Sequence, residues 1–231
     1  MSITYLTIIT HTQTLLSALI AGFAFLQFRR RKPVTKLIGA AFAIGCIANS
    51  VSLILFLCGL GKHSNTVLSV YETVNFSIIC LIFNIALNGK YFKAILDLFI
   101  PFLLFAIYNF IFVQRSDSLN TFTYAVGSIF IMVLCVLYFY RLMEDLPEPD
   151  ITHMPMFWFA SAFLIYCAGT LILFVVQSYL VNVVKDDMIT YWFFHNSISI
   201  VEHFLILIGL WWDYKKYRTY SPPQSHPSRG L

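Results

Sequence analysis

Charge is scarce in this sequence. Lys, Arg, Asp and Glu make up 11% of its 231 residues, where a soluble domain carries roughly a quarter. That shortfall excludes an ordinary water-soluble globule. The basic residues sit in short stretches between apolar runs, so the net charge of +4 bears on membrane topology and not on nucleic acid. Cysteine occurs five times, as Cys46, Cys58, Cys80, Cys135 and Cys167. No C-x-x-C pair exists among them, so neither a disulfide framework nor a dithiol motif is indicated. Each lies in an apolar stretch and reads as a small buried hydrophobe. H-E-x-x-H, a Gly-rich phosphate loop and G-x-S-x-G are also missing, which removes the chemistries those motifs serve. The opening residues MSITYLTIITHTQTLL lack a basic segment and an A-x-A-like site, so a retained helix is expected in place of a cleaved signal.

Apolar length is what the sequence has in abundance. Hydrophobic residues reach 59% and the mean hydropathy is +0.77. A helix needs about 20 apolar residues to cross the hydrocarbon. Seven stretches qualify, at 3–28, 37–60, 67–89, 94–113, 122–142, 155–183 and 190–213. The expected fold class is all-α, a seven-transmembrane helix bundle over residues 1–215. The tail 216–231 contains SPPQSHPSRGL and reads as disordered. RRRKPVTK, GKHSNT, QRSDSLNT and EDLPEPDITH mark four of the connections. Aromatic content of 17% suits interfacial belts, and Tyr191, Trp192, Trp211, Trp212 and Tyr214 bracket the last span as expected anchors. Gly39, Ala40, Ala41, Ala43, Gly45 and Ala48 crowd the second span, which favours close helix approach; Ala18 and Gly22 form a similar pair in the first.

Lys and Arg favour cytoplasmic loops. One set of connections holds Arg29, Arg30, Arg31, Lys32, Lys36 and, further on, Lys90, Lys93, Arg141, Lys215, Lys216, Arg218 and Arg229. The alternate set holds only Lys62, Arg115 and Lys185. The asymmetry alternates through all seven spans, so the amino terminus is expected outside and the carboxyl terminus in the cytoplasm. Basic 29–36 and acidic EDLPEPD, with Glu144, Asp145, Glu148 and Asp150, are expected to face the same cytoplasmic compartment; they attract each other or a partner, or are two solvated loops with the basic one near anionic lipid.

The stretch HNSISIVEHF, 195–204, carries the polar groups of the last span. At about 100° per residue, Tyr191, His195, Ser199 and Glu202 share one stripe, with Asn196 and His203 on its flank. Phe194, Val201, Phe204 and Ile208 cover the opposite side. Lipid exposure of a charged group is costly, so the stripe is expected to face the bundle. At about 1.5 Å per residue, His11, Glu72 and His195 fall in the outer half, as do Asn75, Asn109 and Gln177. Glu202, His203 and Asn49 lie about 16–20 Å deep. The expected ligand site is therefore an outward-facing pocket of His11, Glu72, Asn75, Gln177, His195, Asn196 and Ser199, floored by Glu202 and His203. No Lys or Arg lies inside a span, so histidine is the only cationic partner available to the two carboxylates. An interhelical hydrogen-bond network is the alternative role for these groups. Asn84 and Asn88 turn away from Glu72 and read as packing residues; Asp97 reads as interfacial.

Metal binding fits poorly. His195 and Glu202 stand about 10 Å apart along the axis and cannot share one ion. Glu202 and His203 diverge by about 100°. No metal site, catalytic residue or cofactor is expected from these residues.

Three stretches resemble one group of proteins together: VYETVNFSIICLIFN, PMFWFASAFLIYCAGTLILFV and YWFFHNSISIVEHFLILIGLWW. They are similar to bacterial seven-helix membrane proteins that occur alone or as the membrane module ahead of a sensor histidine kinase. The likeness covers the third, sixth and seventh spans and brings no site residues with it. No kinase segment follows the last span here, so it implies a stand-alone receptor-like module or one that signals through a separate protein.

Three readings follow. The first is a sensor or receptor-like protein of a bacterial inner membrane, taking a small ligand or proton and meeting a cytoplasmic signalling partner at the 29–36 and 143–152 loops. The second is a small-molecule or proton-coupled transporter on a plan of three helices, a linker helix and three helices. The third is an intramembrane His/carboxylate enzyme, possible only where at least three ligands converge; a non-enzyme is favoured over it.

Overall fold

A few residues at the turns set where each helix starts and stops. The computed structural model describes residues 3–26, 31–114, 120–145, 150–179 and 189–219, with side chains described over 8–26, 31–114, 120–145, 150–173 and 191–216. It contains α1 (Ile3–Phe25), α2 (Pro33–Leu57), α3 (Gly61–Ala86), α4 (Phe92–Tyr108), α5 (Thr121–Asp145), α6 (Pro155–Tyr179) and α7 (Ile189–Thr219). No strand occurs among the described residues. All seven helices are long and apolar enough to cross a membrane, α4 with the π-helical turn Asn109–Val113 that continues it.

Pro33 opens α2 after Lys32 in extended conformation (φ −64°, ψ 152°); proline at the first helical position loses no intrahelical bond. The α2 terminus closes with Gly59 in the left-handed region (φ 76°). Leu60 N–H reaches Leu55 O at 2.9 Å and Gly59 N–H reaches Phe56 O at 3.0 Å, the paired bonds of a Schellman stop. At the end of α3, Asn88 takes the left-handed position (φ 52°) and Gly89 N–H bonds Asn84 O at 2.9 Å. Asn88 thus lies beyond α3 and turns the chain, which corrects its expected packing role. Before α6, Asp150 accepts from the N–H and hydroxyl of Thr152, and these bonds hold its carboxyl below the usual carboxylate range.

Helices α3 and α7 extend past the apolar runs. GKHSNT is the first turn of α3 and not a loop, and α7 continues through Lys215 and Lys216 to Thr219. Hydropathy marks where hydrocarbon ends; a solvated helix continues beyond it. Residues 220–231, the bulk of the expected disordered tail, lie outside the described residues.

Neighbouring helices pack in the order α1–α2–α3–α5–α6–α7, and α7 returns to α1 to close a six-membered ring. Helix α4 lies outside this ring, against α3 and α5. Its seat is aromatic: Phe102 stacks on Phe76 with centroids 3.8 Å apart, and both are fully buried. Gly39, Ala41, Gly45 and Ala48 of α2 are buried. Ala18 and Gly22 of α1 are exposed, so that pair makes no close helix contact and the expectation is corrected. Of the five free cysteines, Cys80, Cys135 and Cys167 are buried, whereas Cys58 is exposed at the α2–α3 turn.

Candidate functional site

The polar stripe of α7 turns inwards. Tyr191, Asn196, Ser199, Glu202 and His203 are buried, while Phe194, Val201, Phe204 and Ile208 are exposed. The 3.6-residue period explains this, because 191, 195, 199 and 202 fall on one face. Tyr191 and Trp192, expected as interfacial anchors, stand in a cavity wall.

The stripe opens onto a cavity of about 160 Å³ enclosed by the six-helix ring. Gln13 and Ser17 come from α1; Phe42, Gly45 and Asn49 from α2; Tyr71, Glu72 and Asn75 from α3. Tyr124 and Ser128 of α5 and Phe163, Tyr166 and Cys167 of α6 complete the wall opposite. No residue of α4 lines it. The lining runs from Leu68, Thr121 and Tyr191, near the starts of α3, α5 and α7, to Ser17, Gly45 and Cys167, near the middle of α1, α2 and α6. With helices alternating in direction, the cavity lies toward the end that carries the α2–α3 turn.

Gly45 leaves space that the wall uses. A Cβ at this position would stand 2.7 Å from the Tyr71 hydroxyl, so glycine lets that hydroxyl lie against α2. His203 ties α7 to α1: its Nδ1–H donates to Ser199 O at 2.5 Å, and its Nε2 meets Ser17 Oγ at 2.6 Å. Phe42 meets the same ring edge-on, with centroids 5.0 Å apart. Asn196 Nδ2 donates to Thr10 Oγ1 at 2.9 Å, leaving its Oδ1 to accept from His195 Nδ1–H at 3.3 Å. Tyr166 hydroxyl lies 3.2 Å from His195 Nε2. Glu202 Oε2 is 3.9 Å from His203 Nδ1, beyond hydrogen-bond reach.

Of the expected site residues, Glu72, Asn75, His195, Ser199, Glu202 and His203 share this cavity, with Asn49 beside them. His11 does not line it and is exposed; it lies two residues, about 200° around the helix, from Gln13 in the cavity-facing row. Asn196 sits behind the wall, bonded to Thr10. Gln177 lies outside the described side chains. Asn109 is buried elsewhere, donating to Thr123 Oγ1 at 2.9 Å and Gln114 Oε1 at 3.0 Å, and joins α4 to α5. Among the described residues no three His, Cys, Asp or Glu side chains converge as metal ligands.

Sequence reading missed Gln13, Ser17, Tyr71, Tyr124, Ser128 and Tyr166. A signal existed in part: Gln13–Ser17, Tyr71–Asn75 and Tyr124–Ser128 are each four residues apart, one polar row per helix. It also missed a buried ion pair at the opposite end, where Arg31 donates to Asp213 Oδ2 at 2.9 Å. There a second hollow, about 540 Å³, is bordered by Lys32, Thr35, Lys90, Asp145, Met154 and Lys216. It brings residues of the 29–36 and 143–152 segments to one groove.

No protein-family model, curated protein or solved structure matches this chain. The functional reading rests on the site itself. The chain is a multi-pass, all-helical membrane protein.

Proposed function

We propose that this protein is a sensor or receptor-like module of a bacterial inner membrane, whose ring cavity admits a small ligand or proton from outside. The observation that carries this is the cavity: six helices converge on one chamber holding Glu72, His195, Glu202 and His203. Intramembrane ionisable groups are costly and are kept where they serve a purpose. The Lys/Arg asymmetry supports an external amino terminus and, with it, a chamber that opens outwards. The groove at the other end supports a cytoplasmic partner, because it joins the two loops expected to receive one. The likeness of α3, α6 and α7 to membrane modules of sensor kinases points the same way.

A second reading, a small transporter, draws on the ring order. Exchanging α1 with α5, α2 with α6 and α3 with α7 preserves every neighbour relation in the ring, with α4 as an external linker. That is the pattern of a parallel three-plus-three repeat.

One experiment addresses both. Among the four tryptophans only Trp192 lines the chamber, so its fluorescence reports on the site. Protein in vesicles should respond saturably to small external solutes, or to external pH across about 5–7, where histidine ordinarily titrates. Glu72→Gln should shift the response and His195→Ala should weaken it. Net uptake of the responding solute would favour transport over sensing. Indifference to every solute and to pH, in parent and variants alike, would remove both readings.

A further inference from the structure

We propose that the ring cavity binds a small organic ammonium ion, with Glu72 and Glu202 as counter-charges and the surrounding aromatic rings as its cage. This rests on the receptor-like reading of the same chamber and names the class of its ligand.

The charge balance comes first. Both carboxylates line the cavity, and among the described residues no Lys or Arg does. Glu72 makes no hydrogen bond or ion pair among the described residues, and Glu202, only 9% exposed, has no partner closer than the His203 Nδ1 at 3.9 Å. The histidines are committed elsewhere. His203 gives its Nδ1–H to the Ser199 carbonyl, and His195 gives its Nδ1–H to Asn196. A buried carboxylate without a cation is expensive, and the described residues supply none, so a cation from outside the chain fits this site.

Space and walls then decide which cation. A proton needs no room, yet about 160 Å³ stands beside the carboxylates. A bare metal ion needs several converging ligands, and no three His, Cys, Asp or Glu side chains provide them among the described residues. Tyr71, Tyr124, Tyr166, Tyr191 and Trp192 surround the chamber. Aromatic faces attract ammonium groups through the ring quadrupole, by about 2 kcal/mol where water is excluded. The same rings offer an anion only repulsion at their faces. The volume falls below the roughly 300–1,000 Å³ that encloses drug-sized molecules, which restricts the ligand to a short amine or a methylated ammonium.

The test uses the full chain in detergent or nanodiscs, titrated with tetramethylammonium chloride, with its neutral isostere tert-butanol, and with sodium acetate. Trp192 fluorescence and the melting temperature are read together. The expected result is saturable stabilisation by tetramethylammonium alone, with Kd raised about tenfold or more in Glu72→Gln and in Glu202→Gln. Equal saturation by tert-butanol or acetate overturns the ammonium assignment while leaving a ligand chamber in place. A response to pH with none to tetramethylammonium overturns it in favour of a proton input. Unchanged affinity in both variants also overturns it. The selectivity among the three solutes is measured on the parent protein, so it stands even if a variant fails to fold.

Discussion

Arg31 and Asp213 hold each other in place. Asp213 is 1% exposed and Arg31 5%. The guanidinium donates to Asp213 Oδ2, to Leu210 O at 3.4 Å, to Phe23 O at 3.3 Å and to Leu26 O at 3.2 Å. It also lies over the rings of Phe23 and Tyr214, and Thr35 Oγ1 donates to the same carboxylate at 3.0 Å. The cluster joins α1, α2 and α7 at the end opposite the chamber. Removing one partner leaves the other charge buried and uncompensated, which costs about 3–5 kcal/mol. Asp213→Ala should lower stability by that order in detergent unfolding measurements. Replacing both, as Arg31→Met with Asp213→Leu, should recover most of the loss. A double variant as unstable as Asp213→Ala would show that the hydrogen bonds, and not the charge balance, dominate. On the chamber side, Ser17→Ala removes one bond between α1 and α7. Such interhelical bonds average about 0.6 kcal/mol, so its effect should be several-fold smaller.

Helix α2 shows how an element serves the site. Its buried small residues bring it close to α1 and α3, and its glycine at position 45 accepts the Tyr71 hydroxyl of α3. Gly45→Leu adds bulk where a Cβ alone already meets that oxygen at 2.7 Å. It should cost about 1–3 kcal/mol by overpacking and displace Tyr71 from the chamber wall. Ile47, two positions on, is 64% exposed, and Ile47→Leu should leave both stability and Trp192 fluorescence unchanged. Equal melting behaviour of the two variants would refute the close contact. Helix α4 is the contrasting element. Pro101 inside it removes one helical N–H, its lower face seats on Phe76, and it contributes nothing to the chamber wall. A substitution on its outer face, such as Leu104→Ala (Leu104 is 64% exposed), should leave ligand response intact.

At the scale of the whole molecule, the two ends differ in charge and in use. The basic end holds the Arg31–Asp213 cluster and the open groove; the other end holds the chamber. The proposed orientation is checked by labelling intact cells with an impermeant thiol reagent. Native Cys58 is exposed at the α2–α3 turn, so it is replaced by Ser first. In that background His63→Cys should label and Thr152→Cys should not; both positions are exposed. The reverse pattern would invert the orientation and place the chamber toward the cytoplasm.

Span number, helical class and the inward face of α7 could be read from the residues alone, because runs of about 20 apolar residues cross lipid as helices and lipid penalises polar groups turned outwards. That single-helix logic gave the common inward direction of His195, Glu202 and His203 on α7. It failed where neighbours decide. His11 has the right depth but the wrong face, and only the packing of α1 against α2 and α7 shows that Gln13 and Ser17 look inwards. Tyr191 and Trp192 match the composition of an interfacial belt, yet helix α7 rotates them into the chamber. Asp213 sits among basic and aromatic residues with no sign of a partner 182 positions away. The exclusion of α4 from the ring follows from which helix faces fit together, which hydropathy does not encode. Periodicity thus determined where each polar group lies along and around its own helix. Tertiary packing alone decided which of those groups share one space, because that depends on contacts between helices far apart in the chain.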